Sequence, residues 1–272
     1  MSFTAKIKSV KGSLAASNYK ANIEKGAELL KSRNLTGETV KERYDEKRLV
    51  ARMNQKVLKP FIEAVFSPHK SVSKDWSKED WIKSVDEFCE RIGIPMEVQL
   101  EYYIHRNTAT HHVHISASRL NMVGKNVIPD SFIGKKAELV CDKMARERNL
   151  PTAKEIGRNE KEQMKVVIND SLKTAISWEH LRRKIYERGY HFELSINKTG
   201  LNGARVCCLG DLGDISNLEN YKLEKQKGYK LSQIDRNLKV SEFEHKIREN
   251  AFLIKYENEA KLKQTNKNRF TR

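Results

Sequence analysis

Four of the chain's eight histidines fall within ten positions, in the stretch His105-Arg106-Asn107-Thr108-Ala109-Thr110-His111-His112-Val113-His114-Ile115. Side chains alternate faces along a strand, so His112 and His114 point the same way as Ser116 and Ser118, while His111 points with Val113, Ile115 and Ala117. An HxH pair alone is what a solvated strand face carries. With His105 returned beside it by a chain reversal through Arg106 to His111, three imidazoles converge and the reading becomes a divalent-metal site. Three protein ligands leave positions for water or substrate, as a catalytic ion requires. Three nitrogens suit zinc, manganese or nickel; magnesium prefers oxygen and needs phosphate oxygens to complete its shell.

Such a site needs a hairpin under it. Val98, Leu100, Tyr102 and Ile104 alternate with Gln99, Glu101, Tyr103 and His105, and alternation resumes from His111 to Leu120, which predicts two paired strands. Upstream, Thr4 to Ser9 reads as a first strand, followed by a turn entering a helix around Tyr19, Ile23 and Leu29-Leu30. Thr39 with Glu42 is a capping box opening a helix to about Lys56, with Val40, Tyr44, Leu49, Val50 and Met53 as its apolar face. Phe61 to Phe66 has strand composition. Ser77 with Asp80 caps a helix through Trp81, Val85 and Phe88 that stops at Gly93, and another helix runs from Ile133 to Arg148.

After Pro151 the pattern changes to a charged helical connector from Thr152 to Lys173, a helix around Trp178 to Tyr186, and strands at Tyr190 to Ile196 and Ala204 to Leu209. The expected domains are 1–150 for the histidine-bearing unit, 151–240 for the connector and a small α+β domain, and 241–272 for a charged helical or flexible tail.

The formal net charge is +16, with lysines and arginines spread along the whole chain, which favours a polyanionic partner, nucleic acid ahead of a membrane face. No run approaches the roughly 18 apolar residues of a membrane helix, and the first residues lack a secretory leader, so the expected location is the cytoplasm. Cys89, Cys141, Cys207 and Cys208 form no CxxC pair and read as reduced structural thiols.

The HxxxxxxHxH spacing, followed by a polar strand end and Gly124-Lys125, resembles the plasmid-mobilisation relaxases of the HUH endonuclease superfamily. Arg33 to Gly37, Phe61 to Ser73 and Ser116 to Leu120 also look like landmarks of that family, and the likeness covers about the first 150 residues. The resemblance implies an α+β fold: a central, largely antiparallel sheet with flanking helices, to which the small carboxy-terminal α+β unit is added. It implies that His105, His112 and His114 hold the ion, magnesium or manganese in function with zinc or nickel as alternatives. It implies a tyrosine nucleophile that attacks a DNA phosphate at an origin of transfer and leaves a 5′-phosphotyrosyl link. The counterpart is Tyr19, placed after the glycine turn Lys11-Gly12-Ser13-Leu14; Tyr44, Tyr102 and Tyr103 compete with it, and of these Tyr44 and Tyr102 are better core residues.

Many relatives carry an aspartate two residues after the first histidine, where this chain has Asn107, an amide that can hydrogen-bond but not take a proton. Glu63 resembles an acidic residue of some relatives that orients a metal histidine. Arg106, Arg119, Lys125, Lys135 and Lys136 flank the hairpin as phosphate contacts. Implied partners are single-stranded DNA at the origin, relaxosome accessory proteins and a coupling protein. Three other functions use the same residues: a rolling-circle replication initiator with the same chemistry, a tri-histidine hydrolase that cuts with activated water, and a non-catalytic basic module that binds single-stranded DNA.

Overall fold

The computed structural model describes residues 2–108, 110–198, 200–212, 223 and 228–269. In chain order the elements are β1 (Phe3–Val10), α1 (Leu14–Lys20), β2 (Ala27–Arg33), α2 (Val40–Arg52), β3 (Phe61–Pro68), α3 (Lys70–Ser73), α4 (Lys78–Ile92), β4 (Val98–His105), β5 (His112–Asn121), α5 (Ile133–Glu147), α6 (Ala153–Leu172), α7 (Trp178–Tyr186), β6 (Tyr190–Asn197), β7 (Gly200–Cys208), β8 (Tyr229–Lys230), α8 (Leu231–Ile234) and α9 (Val240–Arg269). They divide into two units, Met1–Ile156 and Gly157–Arg272.

The first unit is built on one antiparallel sheet in the order β1-β3-β5-β4-β2. The predicted hairpin is its centre: β5 lies between β4 and β3, so both of its edges are paired. One face is apolar. There α4 buries Trp81, Val85, Phe88, Cys89 and Ile92, spaced as one helical stripe, and α5 adds Ile133, Ala137, Val140 and Met144, against Ile62, Ala64 and Phe66 of β3 and Val113, Ile115 and Ala117 of β5. Each of the Val, Ile, Phe and Met side chains among them contributes about 1.5–3 kcal/mol when fully buried. The predicted boxes of Thr39 with Glu42 and Ser77 with Asp80 are both present, and α4 stops at Gly93 in the left-handed conformation.

The opposite face is polar, and two expectations change there. Leu29 and Leu30 belong to β2, not to a helix: a run of Ala, Glu, Leu, Leu, Lys has no strand alternation, and pairing with β4, with a bulge between Leu29 and Lys31, decides its state. The helix α2 ends at Arg52 and turns Arg43 and Lys47 inward with Val50 and Ala51, leaving Leu49 and Met53 exposed. Its buried stripe is basic because the sheet beneath it offers the carboxylate of Glu101, which one-dimensional periodicity does not register.

The second unit has its own core, formed by Met164 and Ile168 of α6, Leu181 and Ile185 of α7, Phe192 of β6, Val206 of β7 and Phe243 and Ile247 of α9. Its sheet has the order β6-β7-β8. Thus α6 is not a bare connector, since its apolar line closes this core. The start of α9 is likewise no loose tail: Phe243 and Ile247 are buried, and Asn250 Nδ2 donates to the carbonyls of Leu172 and Ala175, both at 2.9 Å. Residues 270–272 of the expected tail lie outside the described residues. Burial pushes the Cys89 and Cys141 thiols up to about 12, which suits inert core residues.

Candidate metal and nuclease site

The β4–β5 register sets His105 directly opposite His112, and His114 opposite Tyr103. All three histidines share the polar face. Their ring centroids lie 4.4 Å (His105 to His114), 5.0 Å (His112 to His114) and 5.2 Å (His105 to His112) apart, and one ligand atom from each lies within 4.8 Å of the others. His105 is buried, and the other two are half-buried. His111 precedes β5 and is exposed.

Hydrogen bonds select the coordinating nitrogens. His105 Nε2 lies 2.8 Å from the carbonyl oxygen of Lys20, and a carbonyl only accepts, so Nε2 carries the proton and Nδ1 of the neutral ring keeps its lone pair. By the same logic His112 donates through Nδ1 to Thr110 O at 3.0 Å and keeps the lone pair on Nε2. Two imidazoles are therefore fixed in a tautomer that presents a donor nitrogen to a cation. The donor chemistry fits a divalent metal ion.

Tyr19 stands on the last turn of α1, 52% exposed, with its ring 5.9 Å from His114 in an edge-on arrangement and 6.1 Å from His105. Both ends of α1 are fastened to β3. At its start, Ser13 Oγ accepts from Ala16 N, and Gly12 at φ 72° lies so close to Phe61 that a Cβ there would sit 2.6 Å from the ring. At its end, Lys20 Nζ donates to Glu63 Oε1 at 2.7 Å. Phe61 and Glu63, two apart on β3, share a face, so one strand holds the helix that presents the tyrosine.

Beneath α2 lies a buried network. Arg43 Nε and Lys47 Nζ both ion-pair Glu101, Arg43 Nη2 donates to Tyr103 Oη at 2.7 Å, and Lys47 Nζ donates to Ser116 Oγ at 3.0 Å. Burial alone would raise the Glu101 carboxyl, but Lys47 and Arg43 outweigh it and hold Glu101 below the usual carboxylate range. Burial, with Glu101 beside it, pushes the Tyr103 phenol up to about 12, and burial also raises Tyr102. Both are core phenols kept neutral, as reasoned for Tyr102. Tyr44 is half-buried on α2.

The structure brings together His105, His112, His114, Tyr19 and, through Lys20, Glu63. The remaining predicted residues are dispersed. Arg119 is buried: Nε donates to Ile128 O, Nη1 to Lys59 O, and the guanidinium forks onto Asp130, whose carboxylate also accepts from Ser9 Oγ. It ties the loop at Lys59 to the loop at Ile128 and Asp130 and, through Asp130, to β1, so it is corrected from a phosphate contact to a structural residue. Lys135 and Lys136 are on α5, in the helical layer across the sheet from the histidines, and the Lys136 ammonium lies over Gly93 at the carboxy end of α4. They flank the hairpin in sequence and not in space. Arg106 is half-exposed with Nη2 3.6 Å from Glu28, and Lys125 is exposed on the turn after β5. The Asn107 side chain lies against Gly26, where a Cβ would meet its amide at 2.7 Å.

Sequence reasoning missed Lys20, whose backbone carbonyl carries no side-chain signature. It also missed Arg43, Lys47 and Glu101; the only hint is a basic pair four residues apart on a capped helix.

Convergent imidazoles beside a phenol on a basic chain are the groups that a metal-assisted attack on a phosphodiester would use. Residues 19–150 match the family model described as "Relaxase: MobA/VirD2-like, nuclease domain". That segment, just under half of the chain, is similar to the nuclease domain of the MobA/VirD2-like relaxases, a DNA-nicking class. No curated protein and no solved structure matches the chain significantly. Among the described residues no helix is long and apolar enough to cross a membrane.

Proposed function

We propose that this protein nicks and rejoins one DNA strand at the origin of transfer of a plasmid or mobile element and so initiates conjugative mobilisation, with Tyr19 as the nucleophile. The observation that carries the reading is the placement of the Tyr19 ring 5.9 and 6.1 Å from His114 and His105 of the triad.

A phenol ionises near pH 10 and is a weak nucleophile at neutral pH, so it needs help from its surroundings. His105, His112 and His114 would hold a divalent ion, and the chemistry it would supply is Lewis-acid stabilisation of the charge that builds on the phosphate. The residues of the chain do the rest. The half-exposed phenol gives its proton to water, its oxygen forms a bond to phosphorus, and the bond from phosphorus to the 3′ oxygen breaks. The products are a 5′-phosphotyrosyl link and, once that oxygen takes a proton, a free 3′-hydroxyl. Reversal reseals the strand. Lys20 and Glu63 hold α1 and His105 in place, and Arg106 and Lys125 are the proposed phosphate contacts. Magnesium or manganese is the proposed working ion, the cytoplasm the location, and relaxosome accessory proteins with a coupling protein the partners.

The test uses single-stranded oligonucleotides tiled across the DNA that flanks the coding sequence, incubated with Mn²⁺ or Mg²⁺. One oligonucleotide should give a denaturation-resistant adduct that retains a 3′-end label, together with a released fragment that a polymerase can extend, and Tyr19→Phe should abolish both. Cutting without an adduct would favour the water-activating hydrolase, and binding with neither would favour a non-catalytic module.

A further inference from the structure

We propose that the groove between α7 and β6 of the second unit is a separate binding surface for single-stranded DNA, on which bases stack against Trp178 and Tyr186. The proposal rests on the reading that the chain works on single-stranded DNA, and it concerns a unit outside the family match.

Trp178, Arg182 and Tyr186 recur every four residues, so they form one line along α7, aromatic, basic, aromatic, on successive turns. They line a groove of about 930 Å³ whose opposite wall is Phe192 and Leu194 of β6. The helix is held rigidly at this spot. Leu181 and Ile185, on its other side, are fully buried in the unit's core, and Ser177 Oγ caps it by accepting from His180 N. Trp178 is half-buried, its ring 6.4 Å from Phe243, whereas Tyr186 is 43% exposed. A large apolar ring fixed at its base and open on one face is costly to leave in water and is what base stacking uses.

Charge chooses the occupant. Residues 157–272 contain 24 lysines and arginines against 16 aspartates and glutamates. In the groove, Arg182 and Arg183 outnumber the one carboxylate, Glu179, with His180 and His191 beside them, while Arg183 Nε lies 4.0 Å from Glu187 on its outer side. Stacking rings interleaved with guanidinium groups along a groove suit a sequence-tolerant grip on a strand rather than base-specific readout.

The test uses the full chain carrying Tyr19→Phe, so that binding is read without cleavage. A single-stranded oligonucleotide containing 5-iododeoxyuridine is photo-crosslinked and the modified peptide mapped, and fluorescence anisotropy gives Kd across a salt series. The expected crosslink lies within α7. Tyr186→Ala should weaken binding at least about fivefold while Tyr186→Phe restores it, as stacking energies per base imply. Arg182→Ala should reduce the slope of log K against log salt by about 0.7, one phosphate's worth on a single strand. Because Tyr186 is exposed, its variants should keep the native melting temperature. Crosslinks confined to residues of the first unit, or unchanged Kd in Tyr186→Ala, overturn the proposal; that is also the outcome if the groove serves a peptide or a second copy of the chain. Failure of the native chain to form a covalent adduct, with the α7 crosslink intact, would sink the relaxase reading and leave this surface standing.

Discussion

His105 donates through Nε2 to the carbonyl oxygen of Lys20 at 2.8 Å, so the residue that follows Tyr19 also fixes the tautomer of the first triad histidine. Helix α1 and the histidine cluster are therefore one mechanical unit, and Glu63, the partner of Lys20, anchors it to β3. Glu63→Gln leaves the Lys20 ammonium without its counter-charge and loosens both. Manganese affinity should fall about tenfold, the scale of effects seen when partners of metal histidines are removed. Titration calorimetry checks this, and Tyr19→Phe, which leaves the anchor intact, should bind the metal as the native chain does.

The two adjacent histidines should behave oppositely. His112 lies in the triad and His111 outside the strand, exposed. His112→Ala should lose manganese binding and nicking together, whereas His111→Ala should retain both within about twofold, since exposed positions away from structural features tolerate change. Chelation should stop nicking by the native protein, and added Mn²⁺ should restore it. Equal loss in the two variants would remove strand alternation as the basis of the ligand set.

Glu101, buried between Arg43 and Lys47, sets a pH dependence. Its carboxyl is held below its usual value in the fold, so the unfolded chain takes up the proton more readily as pH falls. The stabilisation is therefore fully present above the unfolded carboxylate value and is lost as pH drops through the folded one. Glu101→Gln leaves two buried cations without their carboxylate and should cost about 3–5 kcal/mol at neutral pH. Urea titrations at a series of pH values should show that deficit shrinking in acid. A deficit that grows in acid would reverse the assignment.

Arg119 discriminates a clamp from a DNA contact. With four hydrogen bonds to Ile128, Lys59 and Asp130, Arg119→Ala should destabilise the first unit by about 2–4 kcal/mol, mainly through orphaned buried partners. The salt dependence of DNA binding, measured below the melting transition, should not move. A reduced salt slope at native stability would return Arg119 to the phosphate contacts.

The sequence by itself determined the parts with a local or periodic cause. The hairpin and the exclusion of His111 follow from a period of two, the α4 stripe and the two capping boxes from helical spacing, and the turn before Tyr19 from a glycine whose place only a residue without Cβ can fill. Tertiary structure alone decided what depends on a neighbour distant in the chain. Leu29 and Leu30 are strand because β4 offers them an edge; α2 buries Arg43 and Lys47 because Glu101, more than fifty residues on, waits beneath it. Lys135 and Lys136 follow the hairpin in sequence yet fall behind the sheet, because the apolar side of α5 must cover the core. The bond from His105 to a backbone carbonyl is of the same kind, since every residue has that oxygen and only the fold chooses which one the imidazole meets.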